Sequence, residues 1–117
     1  MIKIIEITKL KPHERIRKIH ARKLLRQIII DGRLKKPIIV DGKTGVILDG
    51  HHRFWAIGQL GLSGIPARIV NYQDKNIQVI AWRKGEKISK SEVIRAGMTG
   101  KLLRPKTSRH LIPKERL

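Results

Sequence analysis

Two carboxylates, two imidazoles and a guanidinium in this 117-residue chain are spaced for work on a phosphate group. Asp49-Gly50-His51-His52-Arg53 follows directly on the apolar run Val46-Ile47-Leu48. Beyond it the apolar positions change period. Phe54, Ile57 and Leu60, with Ala56, fall on one helical face, and Gly61 reads as the helix stop. The five residues therefore form a strand-to-helix corner. The first N–H groups of a helix have no intrahelical partner and carry partial positive charge, so such a corner binds anions, phosphate above all. Gly50 lets a ligand approach the backbone. Arg53, in the first turn, can fork onto phosphate oxygens. Asp49 can hold a metal, orient a hydroxyl or accept a proton. His51 and His52 can donate, accept or ligate. The plain alternative is that Asp49 caps the helix and the histidines face water.

The fifth chemical group lies upstream. Glu14 stands among Lys11, His13, Arg15, Arg17 and Lys18. A carboxylate among so many cations is either a structural ion-pair partner or a functional group. A third candidate stretch, Leu102-Leu103-Arg104-Pro105-Lys106-Thr107-Ser108-Arg109-His110, combines hydroxyls, cations and an imidazole with few apolar residues. It reads as a ligand-binding loop or as a disordered basic tail.

These residues need elements to position them. Ile2, Ile4 and Ile7 suggest a first strand over 2–8. Pro12 keeps Lys11 extended, so Lys11-Pro12-His13-Glu14-Arg15 is a loop or the first turn of a helix. Residues 17–31 are helical, with Ala21, Leu25, Ile28 and Ile29 on a broad apolar face flanked by Leu24 and Ile30. Gly32 ends this helix, and Arg22, Lys23 and Arg26 lie on its other side. Pro37–Val40 and Val46–Leu48 flank Asp41-Gly42-Lys43-Thr44-Gly45 and read as a β-hairpin. Gly-Lys-Thr is its tip and not a phosphate-binding loop, because the upstream glycine and a following long helix are missing. Residues 61–64 form a loop, and Pro66–Val70 is a further strand. Ile77, Val79, Ile80 and Trp82 make a strand or a short helix. Ser89 or Ser91 caps a short helix that runs to Ala96 and stops at Gly97.

Composition narrows the classes. The length suits one domain, 1–117, with a core over about 1–82 and a basic extension, 83–117, that contributes to the site. No apolar run is long enough to span a membrane, and the charged, alternating N-terminus is no signal peptide. There are no cysteines, which excludes disulfides, thiolate metal sites and cysteine catalysis. A cytoplasmic protein is expected. The net charge of +18 points to a polyanionic or phosphorylated partner, nucleic acid included. Only four aromatic residues, Phe54, Trp55, Tyr72 and Trp82, argue against a stacking platform for single strands.

The order strand, Lys-Pro-His-Glu loop, helix, Pro-Ile-Ile-Val strand, hairpin and Asp-Gly-His-His-Arg corner resembles the ParB/sulfiredoxin superfamily over residues 5–82. Within it the chain is most similar to the archaeal free serine kinases. These also carry a tryptophan after the next strand, here Trp82, and a C-terminal motif like Pro105–His110, with Ser108 in place of a second threonine. The resemblance implies a small α/β (α+β) fold, a mixed sheet with packed helices. It implies a kinase that phosphorylates free L-serine to O-phosphoserine with ADP or ATP, and Mg²⁺ accompanying the nucleotide. By position, Glu14 would be the general base and Asp49 would support catalysis at the transferring phosphate. Gly50, His51, His52 and Arg53 would bind phosphates. Trp82, Thr107, Ser108, Arg109 and His110 would surround the amino acid. No dedicated metal site is expected. Other branches match less: the corner lacks sulfiredoxin's cysteine and the Gly-Glu-Arg-Arg typical of chromosome-partitioning ParB. The remaining alternative is a stand-alone ParB-like DNA-binding or nuclease module, which the +18 charge supports.

Overall fold

The computed structural model describes residues 2–114. In chain order the elements are strand β1 (Ile2–Glu6), a short 3-10 turn (Ile7–Lys9), helix α1 (Lys18–Asp31), strands β2 (Ile38–Asp41) and β3 (Ile47–Asp49), helix α2 (His51–Gln59), strands β4 (Gly64–Val70) and β5 (Gln78–Ala81), helix α3 (Lys90–Thr99) and strand β6 (Ser108–Leu111). A mixed four-stranded sheet has the order β1-β4-β2-β3. Its β1–β4 and β2–β3 pairs are antiparallel and its β2–β4 pair is parallel. A second, two-stranded sheet pairs β5 with β6 antiparallel, Ala81 opposite Ser108. Among the described residues no helix is long and apolar enough to cross a membrane.

The corner's strand is an unbroken apolar run because both of its faces are buried. Successive side chains of a strand point to opposite faces. Ile47 enters one core with Leu10, Ile38, Val40, Ile57, Ile65 and Ala67. Val46 and Leu48 enter another with Tyr72, Ile77 and Val93. The same alternation divides Ile38 and Val40 from Ile39 in β2. The corner is thus fixed between two packed layers.

Several local expectations are corrected. The first strand stops at Glu6, and Ile7–Lys9 turn to lead the chain toward the site. In α1 only Ala21 and Ile28 are buried, while Ile29 and Ile30 are 58% and 77% exposed. The contact with α2 covers a narrower stripe than the run of apolar residues offers. The helix expected to stop at Gly97 continues to Thr99, and Gly100 in the left-handed conformation ends it. Gly97 is needed inside the helix: a Cβ there would lie 2.7 Å from a Val46 methyl. Ser89 does cap α3, in a reciprocal box with Glu92. Residues 102–110 are neither a simple loop nor a tail, since Ser108–Leu111 add a strand against β5. Ile77–Trp82 contain that strand partner and no helix.

Candidate active site

The loop carrying Glu14 runs extended across the molecule, and its alternate N–H groups fix it in place. Lys11 N–H donates to the Gly45 carbonyl at 2.9 Å and Arg15 N–H to the Leu103 carbonyl at 2.8 Å. Between them His13 N–H donates to Nε2 of His51, and beyond them Arg17 N–H donates to Nε2 of His52, each at 3.1 Å. Both rings must be unprotonated at Nε2 to accept. Burial holds His51 well below the usual histidine range, reinforced by the nearby imidazoles of His13, His110 and His52. Burial and then His20 lower His52 in the same sense.

Glu14 ends up at the joint between this loop and β6. Its Oε1 accepts from Thr107 N–H and Ser108 N–H, both at 3.0 Å, and from the Ser108 hydroxyl at 3.1 Å. These donors all converge on one oxygen, and none comes from a cation. Ser108 is buried, and its hydroxyl also lies 2.9 Å from Nε2 of buried His13. Nδ1 of His13 lies 2.6 Å from the Ile47 carbonyl. A carbonyl only accepts, so Nδ1 carries the proton. Burial lowers the His13 pKa, against a backbone hydrogen bond to Ile47 and the Glu14 charge.

At the corner, Gly50 is the helix N-cap in the left-handed region, φ 102°. A Cβ there would lie 2.6 Å from an Ile38 methyl and 3.0 Å from the Arg53 guanidinium. Arg53 therefore folds back over Gly50 and meets Asp49 at 3.3 Å. Its side chain is 16% exposed, that of Asp49 61%. Asp49 makes no cap, and no side chain caps α2. The first-turn N–H groups have no side-chain partner.

Opposite stands Trp82, half-exposed, with the Arg109 guanidinium 4.9 Å and the Lys106 ammonium 5.7 Å from its ring centre. Arg83 holds the preceding turn by donating to the Pro105 and Lys106 carbonyls, and Lys106 adopts φ 56°. His110 shares a 2.8 Å hydrogen bond with the buried Tyr72 hydroxyl. Burial brings His110 down to about 3, His13 adding to this, while burial and Asp41 raise Tyr72. One cleft of about 450 Å³ gathers most of these groups, lined by Glu14, Leu24, Leu48, Asp49–Arg53, Trp82, Lys106 and Ser108–His110.

No family model matches the chain. An ATP-dependent L-serine kinase from Staphylothermus marinus is 36% identical over 83 residues, 68% of this chain and 33% of the relative. A ParB-like protein from Sulfolobus acidocaldarius is 48% identical over 48 residues, 41% of this chain and 24% of the relative. In three dimensions, a free serine kinase in complex with AMP superposes with a TM-score of 0.87 at 18% identity, over 96% of this chain and 88% of that one. Sulfiredoxin from Arabidopsis thaliana superposes at 0.53 with 26% identity, over 61% of this chain and 85% of that one. The chain shares the fold of the free serine kinases and of sulfiredoxin. It spans about a third of the length of the L-serine kinases it matches.

Ten of the eleven residues expected at the site line the cleft. Thr107 does not: its N–H serves Glu14 and its hydroxyl donates to the Arg104 carbonyl at 2.6 Å. The Nε2 atoms of His51 and His52 are taken by the loop backbone, so each residue keeps only its ring Nδ1–H and its backbone N–H to offer a phosphate. The space over Gly50 holds Arg53 and Ile38, so that glycine admits a side chain, not a ligand. The ion-pair reading of Glu14 gives way to three non-ionic donors. Lys106, His13 and Tyr72 were missed. His13 stands next to Glu14 in sequence, but its partners are 34 and 95 positions away. Lys106 lies inside the basic stretch and nothing local sets it apart.

Proposed function

We propose that the cleft transfers a phosphoryl group from ADP or ATP to the hydroxyl of free L-serine. The observation that carries this reading is the convergence of Glu14 and the uncapped start of α2 on one cleft. With three donors on Oε1, the carboxylate is held rigidly and its other oxygen is left for the acceptor hydroxyl. Glu14 accepts the hydroxyl proton as the serine oxygen attacks. The N–H groups of residues 51–53 and the Arg53 guanidinium neutralise the transferring phosphate, which is most of what phosphoryl transfer asks of a protein. Asp49 holds that guanidinium in place. Arg109 and Lys106, steadied on Trp82, supply cations for the amino-acid carboxylate or the nucleotide phosphates. Ser108 and His110 complete the amino-acid side, and their place in the same cleft as Glu14 and Asp49 supports reading the basic extension and the core as one domain.

Among the described residues no group of three His, Cys, Asp or Glu converges as a metal site. Mg²⁺ suits one exposed carboxylate plus phosphate oxygens and waters, and the Asp49 carboxylate fits that role. The ion would supply charge neutralisation on the nucleotide.

The curated serine kinases and the AMP-bound free serine kinase agree with this reading in what they are named for. The test is incubation of pure protein with ADP or ATP, Mg²⁺ and L-serine, with O-phosphoserine as the readout. The exposed basic face of α1, with Lys18, Arg22, Lys23 and Arg26, favours a second reading as a DNA-binding module. Tight duplex binding at physiological salt, with no phosphotransfer to any amino acid, would reverse the order.

A further inference from the structure

The hydroxyl of Ser108 faces two acceptors with one proton. Oε1 of Glu14 lies at 3.1 Å and Nε2 of His13 at 2.9 Å. Nδ1 of His13 already donates to the Ile47 carbonyl, so a neutral His13 presents only a lone pair to Ser108. Among the described residues Ser108 is the one partner of that nitrogen, and the ring is fully buried. One hydrogen cannot serve both sites. While Glu14 is ionised the charged oxygen is the stronger acceptor and takes it, which leaves a buried nitrogen unpaired. A buried acceptor without a donor is unfavourable.

We propose that the Ser108 hydroxyl is a two-position donor that couples Glu14 to His13, aimed at Glu14 while the carboxylate is ionised and turned to His13 Nε2 once Glu14 has taken a proton. His13 is then a positioning residue that makes Glu14 a better proton acceptor. The inference rests on Glu14 as the base. In the step itself the acceptor O–H breaks, its proton goes to the free oxygen of Glu14, and its electron pair forms the new O–P bond. The old P–O bond breaks with its pair leaving on the nucleotide. The Ser108 O–H never breaks. It rotates, because the protonated carboxyl is a weaker acceptor and the imidazole becomes the better one. His51, His52 and His110 face this pair from α2 and β6, with Lys106 and Arg109 at the cleft rim. Their common background is removed by comparing variants that leave them unchanged.

The test is nitrogen NMR of the His13 ring, which needs no substrate and stands apart from whether the protein is a kinase. At pH 8 the wild-type Nε2 resonance is expected where an unbonded imine nitrogen appears. In Glu14→Gln, whose amide oxygen is a neutral acceptor, it is expected to move to the hydrogen-bonded position with Nδ1 still protonated. In Ser108→Ala it stays unbonded in both backgrounds. A His13 signal indifferent to Glu14→Gln, or a ring protonated on both nitrogens at pH 8, overturns the proposal. Turnover gives a second reading. Glu14 must be ionised to act, so the rate has an acid limb. His13→Leu should move that acid limb of kcat down by about one pH unit, whereas in the Ser108→Ala background it should do nothing further. An equal effect of His13→Leu in both backgrounds refutes the coupling.

Discussion

Replacing Glu14 by glutamine removes basicity and little else. The carboxylate works through two separable halves. Oε1 accepts three hydrogen bonds, at 3.0, 3.0 and 3.1 Å, that tie the loop to β6. The other oxygen faces the cleft. A glutamine can present its carbonyl oxygen to the two backbone donors, with the Ser108 hydroxyl turned to His13, and its amide nitrogen to the cleft. The donors then lose a charged acceptor. A charged acceptor adds about 1 kcal/mol to a hydrogen bond, and partial exposure reduces that, so the variant should fold with a stability loss of about 1–2 kcal/mol in total. The chemical effect is larger and of another kind. A general base contributes about 10²- to 10⁴-fold, or about 3–5 kcal/mol of barrier. We therefore expect kcat per folded molecule to fall by 10²-fold or more, roughly the lower bound of that range, with nucleotide affinity little changed. Folded fraction comes from circular dichroism, nucleotide affinity from calorimetry, and kcat from O-phosphoserine formed. A folded Glu14→Gln protein with near-normal turnover would refute the reasoning, and Asp49 would remain as the base.

Arg53→Ala should weaken nucleotide binding by about 1.5–3 kcal/mol, the worth of a charge-assisted hydrogen bond, and calorimetry showing unchanged affinity would remove Arg53 from the phosphate site. Gly97→Ala gains about 1 kcal/mol of helix propensity but sets a methyl 2.7 Å from Val46. Overpacking costs about 1–3 kcal/mol, so urea midpoints should show net destabilisation in this variant and recovery with Val46→Ala; a more stable single variant contradicts the contact. Four histidines, His13, His51, His52 and His110, have lowered pKa values, chiefly through burial. The unfolded chain binds protons before the folded one does, so their contribution to stability is complete above about pH 6.5. It is lost as pH falls from there toward about 3, the value for His110. Urea melts at pH 7 and pH 5 should differ in that direction, and equal midpoints would contradict it.

What could be read in the sequence was what neighbours in sequence decide. The corner was legible because Val46–Leu48 and the positions Phe54, Ala56 and Ile57 have different periods and meet at Asp49. Gly61 and Gly32 were legible as helix ends because left-handed backbone there has a local cause. Gly97 misled for the opposite reason: its small size answers to Val46, 51 positions earlier, and not to its own helix. Ile29 and Ile30 misled because a hydrophobic run does not say how wide a stripe its partner will cover. The histidines of the corner were found, but their work was not. Their rings hold a loop 35 and 38 positions away, a contact that only the fold creates. Strand β6 was missed because its partner, β5, lies across α3 in sequence.

The bond between Glu14 and residues 107 and 108 also sets an order in time. Glu14 is synthesised well before its three donors, which follow 93 and 94 positions later in the chain. Closing a loop of 93 or 94 positions is entropically slow compared with forming the hairpin or the helices. The corner can fold while the chain is still growing, yet the carboxylate has nothing to orient it until β6 docks. On the proposed function, a nascent chain would then hold an anion before it could activate a hydroxyl.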